Sequence, residues 1–349
     1  MKFDRAGNYT SVLRPPKPRN HVCWTPTVTI DSPTITETRV TDLPRLYATL
    51  TKARLSTLVV ITTGVGFVMA SGDQIDWIKL LWTVIGTMAC ALSANALNQV
   101  FETHRDKLME RTRGRPTPSG ALSTRHAFVF AVLIGYAGLL LLALLVNLAA
   151  AGLALLTILL YLLGYTPLKP VSTLNTIVGA IVGGIPPLIG WVAVQNELSV
   201  PAFVLGGLLF VWQLPHFLSL AWLYRDQYAG AGFRMLPVVK GGDHLTAEVT
   251  LLTTLLLIPL GLAATMSGMS GIIYAIVSLL LGLAFSWYSL RFFMRRDRPT
   301  ARSTFLFSLL YLPVLLAAMV ADRSIVSQEG PISVDMNPGA IIQEHPDDE

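Results

Sequence analysis

The chain has 349 residues, of which 52% are hydrophobic and only 13% charged, with a formal net charge of +5. Its charges lie in clusters between long apolar runs, which excludes an ordinary soluble domain and points to an integral membrane protein. The positive balance is no argument for nucleic acid, because its distribution follows membrane orientation. Cys23 and Cys90 make neither a metal-ligand pattern nor a disulfide framework.

Residues 1–44 are polar, contain Pro15-Pro16-Lys17-Pro18 and read as a disordered arm. They hold no apolar core followed by a small-residue cleavage site, so a secretory signal is not expected. Five basic residues against one acid in the first twenty leave a mitochondrial transit peptide open, with the prolines counting against the amphipathic helix it would need. Nine apolar spans follow, centred near residues 54–70, 79–97, 127–146, 148–164, 176–194, 202–221, 249–266, 271–290 and 303–320. Each can cross a hydrocarbon layer of ~30 Å at ~1.5 Å per residue. Asn147 marks the break between the third and fourth. The expected architecture is an all-α integral membrane domain over residues 45–320, followed by an acidic disordered tail over 321–349.

Charge sorting tests the number of spans. With nine spans and a cytoplasmic N-terminus, 24 of the 26 Lys and Arg residues fall on the inside, leaving Lys79 and Arg323 outside. An even number of spans would break this pattern. The outside loops are short and plain, so function is expected on the cytoplasmic face.

The first inside loop follows Asn98, Glu102 and Asp106, whose four-residue steps put all three on one helical face. Mg²⁺ takes oxygen ligands and commonly bridges one or two carboxylates to substrate phosphates, which suits Glu102 and Asp106. Asn98 suits a hydrogen bond to metal-bound water or phosphate. Arg111, Arg113 and Arg115 can fork onto phosphate oxygens, and Arg105 and Lys107 add positive potential. In the second inside loop, Tyr165-Thr-Pro167-Leu-Lys169-Pro170, two prolines set a bend from which Lys169 projects. In the third, His216 lies within an apolar span, where an ionisable side chain is a functional candidate or a histidine bonded to a neighbouring helix. Asp226 could complete a second metal position or simply pair with Arg225.

These residues resemble the UbiA-type intramembrane prenyltransferases and, within them, the branch that farnesylates haem B. The resemblance runs from about residue 45 to 320. It rests on Asn98-x3-Glu102-x3-Asp106-x2-Met109-x-Arg111-Thr112-x2-Arg115-Pro116, on Tyr165-Thr-Pro-Leu-Lys169-Pro with Pro186-Pro187-x2-Gly190-Trp191, and on Pro215-His216-Phe217 with Tyr224-Arg-Asp226 and Met235-Leu-Pro237. It implies nine helices around a central cavity, with Glu102, Asp106 and Asp226 holding Mg²⁺ against the diphosphate of farnesyl diphosphate. Arg111, Arg115 and Lys169 would stabilise the leaving group. Tyr165, Arg105, Lys107, Arg113 and Arg225 join the substrate-binding set. His216 or His104 could ligate haem iron or relay a proton. The implied partners are farnesyl diphosphate, haem B, the bilayer, and a haem A synthase or oxidase assembly partner. The implied setting is a bacterial inner membrane, with the mitochondrial inner membrane as the alternative.

Two positions depart from the pattern. The broader superfamily usually has Asp where Glu102 stands, and a second D-x3-D motif. Here Gly230 follows Asp226 by four residues, and Gln227 stands where the branch often has another acid. The rival acceptors are a quinone precursor or a chlorin. A transporter would call for Asp, Glu, Lys or Arg well inside a span, and none is found.

Overall fold

A computed structural model describes residues 43–72 and 74–323. The expected arm and tail fall almost wholly outside the described residues. A short helix α1 (Leu43–Leu50) leads into α2 (Ala53–Ala70), α3 (Trp77–Asp106) and α4 (Thr124–Leu145). The next span is composite: α5 (Leu148–Leu159), a π-helical turn (Leu160–Tyr165) and α6 (Thr166–Leu168). Then come α7 (Asn175–Gln195), α8 (Val200–Leu223), the short α9 (Arg225–Gly230), α10 (Gly242–Met266), α11 (Ile272–Arg295) and α12 (Arg298–Ala321). Nine helical spans among the described residues are long and apolar enough to cross a membrane, and they match the nine expected from sequence.

Helices are the answer to a solvent that offers no hydrogen bonds, since each satisfies its own backbone. Where they end, side chains take over. Asn147, at the expected break, accepts from the Ala150 amide at 2.8 Å to start α5 and donates to the Val192 carbonyl at 2.7 Å. At the same end of the bundle, Gln195 donates to the Ala70 carbonyl and Arg323 to the Val68 carbonyl. Asp322 caps α11 by accepting from the Tyr274 amide at 2.7 Å.

Helix α7 packs on α2, α5 and α8, while α10 and α12 extend the bundle from α8. The α2–α7 contact is made by backbone. A Cβ at Gly190 would run into the Thr63 carbonyl of α2, and one at Gly66 into the Pro187 carbonyl of α7, so both positions need glycine for close approach. Helix α3 has 30 residues and is about 45 Å long at ~1.5 Å per residue, more than the hydrocarbon layer requires. Its last turns bring Asn98, Glu102 and Asp106 to the bundle end where the three loops following α3, α6 and α8 meet.

Candidate active site

Those loops close over a cavity of about 450 Å³ lined from α2, α3, the π-helical turn, α7, α8 and the loops themselves. Glu102 and Asp106 face it from α3. Both are almost fully buried and both are held by cations: Lys169 Nζ donates to Glu102 Oε1 at 2.7 Å, and Arg115 Nη1 to Asp106 Oδ2 at 2.7 Å. Each carboxylate is thus charge-balanced within the protein. Arg111 also reaches the cavity. Its guanidinium lies 4.9 Å from the Tyr224 ring centroid and donates to the Tyr228 hydroxyl at 3.3 Å.

The arginine-bearing loop is ordered by its own polar residues. The Thr112 hydroxyl donates to the Asp106 carbonyl, and the Thr117 hydroxyl to the Gln99 carbonyl. Met109 tucks beneath with Ala221, Ala231, Phe233 and Met235 as an apolar cap. The Arg234 amide donates to the Lys169 carbonyl at 2.7 Å, and Asn175 donates to the Arg234 carbonyl at 3.1 Å, which ties the third loop to the second.

The π-helical turn aims the second loop. It stacks the rings of Tyr161 and Tyr165 with centroids 5.3 Å apart, and the Lys169 ammonium lies 4.5 Å from the Tyr165 centroid. Burial works against the Lys169 charge, but Tyr165 and Glu102 outweigh it and hold the ammonium above the ordinary lysine range. Asn98 lies just below the cavity, fully buried, donating to the Thr166 hydroxyl at 3.1 Å and accepting from Lys52 Nζ at 2.9 Å.

Of the candidates drawn from sequence, the structure brings Glu102, Asp106, Arg111, Arg115, Tyr165 and Lys169 to the cavity wall, with Asn98 beneath. Asp226 takes the other course the sequence left open: its side chain is 96% exposed, and among the described residues its ion pair is with Arg225 Nε at 3.9 Å. The cause is helical phase, because Tyr228 lines the cavity and two residues turn a helix by about 200°. Arg225 instead stacks on Trp222 at 4.1 Å from the ring centroid. Lys107 and Arg113 are exposed, and neither they nor Arg105 line the cavity. Gln227 does not line it either. His104 is exposed at the end of α3.

His216 also points elsewhere. Its Nδ1 meets Ser308 Oγ at 2.8 Å, and its ring lies between Trp212 and Phe305 with centroids 5.1 and 5.0 Å away. Ser308 lies on α12, so this contact ties the ring to a neighbouring helix. This fastens α8 to α12.

Sequence reasoning missed Lys52, Tyr161, Asn175, Thr176, Phe217 and Tyr228, all of which line the cavity. For Tyr161 a signal existed: it stands four residues before Tyr165. Among the described residues no three His, Cys, Asp or Glu side chains come together as a metal site, and Glu102 and Asp106 are the only two carboxylates lining the cavity.

Comparison with known proteins agrees with this arrangement. The UbiA prenyltransferase family matches residues 59–311. A mitochondrial protoheme IX farnesyltransferase of Arabidopsis thaliana is 42% identical over 80% of this chain and 65% of its own length, so this chain spans about two thirds of that relative. A protoheme IX farnesyltransferase of Solibacter usitatus is 40% identical over 80% of this chain and 99% of its own length. Among solved structures, a digeranylgeranylglyceryl phosphate synthase superposes with a TM-score of 0.69 at 19% identity, covering 80% of this chain and 98% of its own. A UbiA homolog from Archaeoglobus fulgidus bound to GPP and Mg²⁺ superposes at 0.62 with 12% identity, covering 79% and 99%. At these identities the two structures speak for the fold alone. A helical membrane bundle with its carboxylates and cations gathered in one end cavity, a family match across most of its length and relatives near 40% identity lead to one conclusion: the chain belongs to the UbiA prenyltransferase family.

Proposed function

We propose that this chain transfers the farnesyl group of farnesyl diphosphate to a vinyl group of haem B, releasing diphosphate, in a reaction that uses Mg²⁺. The observation that carries the reading is the division of the cavity. Two carboxylates and the cations of Lys169, Arg115 and Arg111 share it with an apolar lining of Leu55, Phe217 and Leu220. The farnesyl donor and haem acceptor are supported by the relatives named protoheme IX farnesyltransferase.

Two carboxylates completed by substrate phosphates are a usual way to hold Mg²⁺, so Glu102 and Asp106 fit the ion and would be its protein ligands. When bound, the ion supplies Lewis acidity to the departing diphosphate. Lys169 and Arg115, which occupy the carboxylates here, gain phosphate oxygens as alternative acceptors in the same cavity, so charge stays balanced as substrate enters. Together with Arg111 they donate to those oxygens as negative charge develops. The allylic C1–O bond breaks and its electron pair leaves with diphosphate. The faces of Tyr161 and Tyr165 favour the positive charge that appears on the allyl group, and the apolar lining keeps water from capturing it early. The vinyl π pair forms the new bond to C1. The cation left beside the porphyrin then takes the oxygen of a water molecule and sheds a proton, giving a hydroxyethylfarnesyl side chain.

The cytoplasmic face, with the N-terminus inside, is the proposed location because the basic residues sort to that side. A bacterial plasma membrane is the proposed setting, with the mitochondrial inner membrane as the alternative, since relatives of both kinds match. A haem A synthase or oxidase assembly partner would receive the product. The test is reconstitution in vesicles with haem B, farnesyl diphosphate and Mg²⁺, with products identified by mass and 4-hydroxybenzoate run in parallel. Farnesylated, hydrated haem that disappears with EDTA is expected. Prenylated 4-hydroxybenzoate with unchanged haem would replace this reading with another aromatic acceptor.

A further inference from the structure

Helices α7 and α8 meet along a seam whose upper end is the cavity wall. On α7, Thr176 and Gly179 line the cavity, and Gly183 continues the same helical face. On α8, Phe217 and Leu220 line it, and Gln213, four residues before Phe217, continues that face. Gly183 and Gln213 meet one turn below: a Cβ at Gly183 would collide with both the nitrogen and the oxygen of the Gln213 amide. Farther along, the seam becomes a groove of about 330 Å³ between Ile181, Leu188, Phe203 and Phe210, and no polar side chain lines it. Gln213 therefore marks the boundary between the cavity and a wholly apolar stretch.

The Oε1 of that amide is buried without a hydrogen-bond partner. Its neighbours Trp212 and His216 both turn to Ser308 of α12 instead. An unpaired carbonyl oxygen away from water lowers stability, and a leucine would fill the same space without that loss. Gly183 nevertheless leaves room for the amide. A buried acceptor of this kind needs an explanation, and a ligand that brings the missing donor supplies one. The reaction proposed for this cavity narrows the choice. A prenyl chain and a vinyl group have no N–H or O–H to give, and diphosphate oxygens are acceptors. The water that closes the product is a donor, and it is needed away from the charged end.

We propose that Gln213 is the positioning residue for the water that hydrates farnesylated haem, its Oε1 accepting one water hydrogen while the oxygen lone pair is left for the cation beside the porphyrin. This rests on reading the chain as a haem farnesyltransferase. The water oxygen gives an electron pair to form the C–O bond, its other O–H bond breaks, and that proton passes to the diphosphate already released. The hydrogen bond to Gln213 strengthens as the water oxygen becomes positive. Without the acceptor, the same cation loses a proton from the adjacent carbon to diphosphate and leaves an alkene, a product lighter by one water.

The experiment reconstitutes the full chain in vesicles with haem B, farnesyl diphosphate and Mg²⁺, for wild type, Gln213→Leu, Gln213→Met and Gln213→Glu. Mass analysis gives the ratio of hydrated farnesyl haem to the product lighter by one water, and melting curves are taken beside it. Wild type should give the hydrated product. Gln213→Leu and Gln213→Met should lower the ratio about 10-fold or more, the effect of one hydrogen bond to a charged group, while melting no lower than wild type. Gln213→Glu keeps an acceptor oxygen and should recover most of the hydration. A wild-type ratio in Gln213→Leu or Gln213→Met overturns the proposal. So does a lowered melting temperature in both, which would make the amide a bonded part of the fold. Loss of all product at wild-type stability overturns it too, because Gln213 would then act before hydration. No farnesylated haem from wild type would instead remove the haem reading, and this inference with it.

Discussion

Replacing Lys169 with methionine separates what its ion pair does for the fold from what the ammonium does in the reaction. Lys169 Nζ and Glu102 Oε1 are 2.7 Å apart, with side chains only 14% and 6% exposed, so the substitution strands a carboxylate in a poorly solvated place. Breaking a buried pair by removing one partner typically costs about 3–5 kcal/mol. The cavity gives Glu102 some access to water, so the expected loss here is at the bottom of that range, about 3 kcal/mol. Turnover should fall separately, because one charge-assisted contact to the leaving group is worth roughly 1.5–3 kcal/mol, or about 10- to 150-fold. Adding Glu102→Gln removes the stranded charge. The double variant should regain most of the lost stability while its turnover falls further, since a carboxylate needed for the metal has gone. Thermal unfolding of the detergent-purified protein and timed product formation by mass give the two readouts. A Lys169→Met protein as stable as wild type, or a double variant that recovers turnover, would refute the reasoning.

Arg115→Ala should lower turnover by about 10- to 150-fold, because Arg115 lines the cavity and holds Asp106, whereas exposed Arg113→Ala should be nearly silent; initial rates at saturating donor compare them. His216→Ala should lower the melting temperature by removing the Ser308 bond and the stacked ring, while haem affinity by absorbance titration stays unchanged. A loss of haem binding at wild-type stability would return His216 to the site. Lys52 also sets a pH trend. Its folded pKa of about 7 lies below the unfolded value, so between roughly pH 7 and 10 the unfolded chain binds more protons and stability from this group rises with pH. Lys52→Met should flatten that rise in melting curves taken across the range.

The spans were legible because each needs about twenty apolar residues, and Asn147 announced its break by being a good cap between two such runs. The face of Glu102 and Asp106 was legible for a related reason: four-residue spacing on a long helix fixes direction. Direction was illegible wherever the helix was short or the backbone irregular. Asp226 occupies a turn and a half of helix whose phase is set by Tyr228 and by Arg225 stacking on Trp222, and nothing in the local sequence encodes that choice. Lys52 looked like one more positive charge at a membrane boundary, since the left-handed turn that points it inward leaves no residue-type signature when a lysine adopts it. Nor does the pattern around Leu160–Tyr165 show that its hydrogen bonds skip an extra residue. His216 reads from sequence as either a functional residue or a histidine bonded to a neighbouring helix, and packing decides for the second, with a serine on α12 as its partner.

The π-helical turn constrains how the length of this chain can vary. A π-helical turn accommodates one residue more than an α-helical turn does. Excising a single residue there would restore an α-helix that folds and spans equally well. Because the wide turn already absorbs one extra residue, Thr166 and Lys169 would stay near Asn98 and Glu102, whereas excising a residue from the regular stretch of α5 would swing them through about 100° and shift them by ~1.5 Å. Surface loops of a membrane bundle absorb insertions and deletions freely. Within Leu160–Tyr165 the spare residue is slack: a one-residue loss there keeps the pairings on which the diphosphate end depends and changes which side chains of the turn face the cavity.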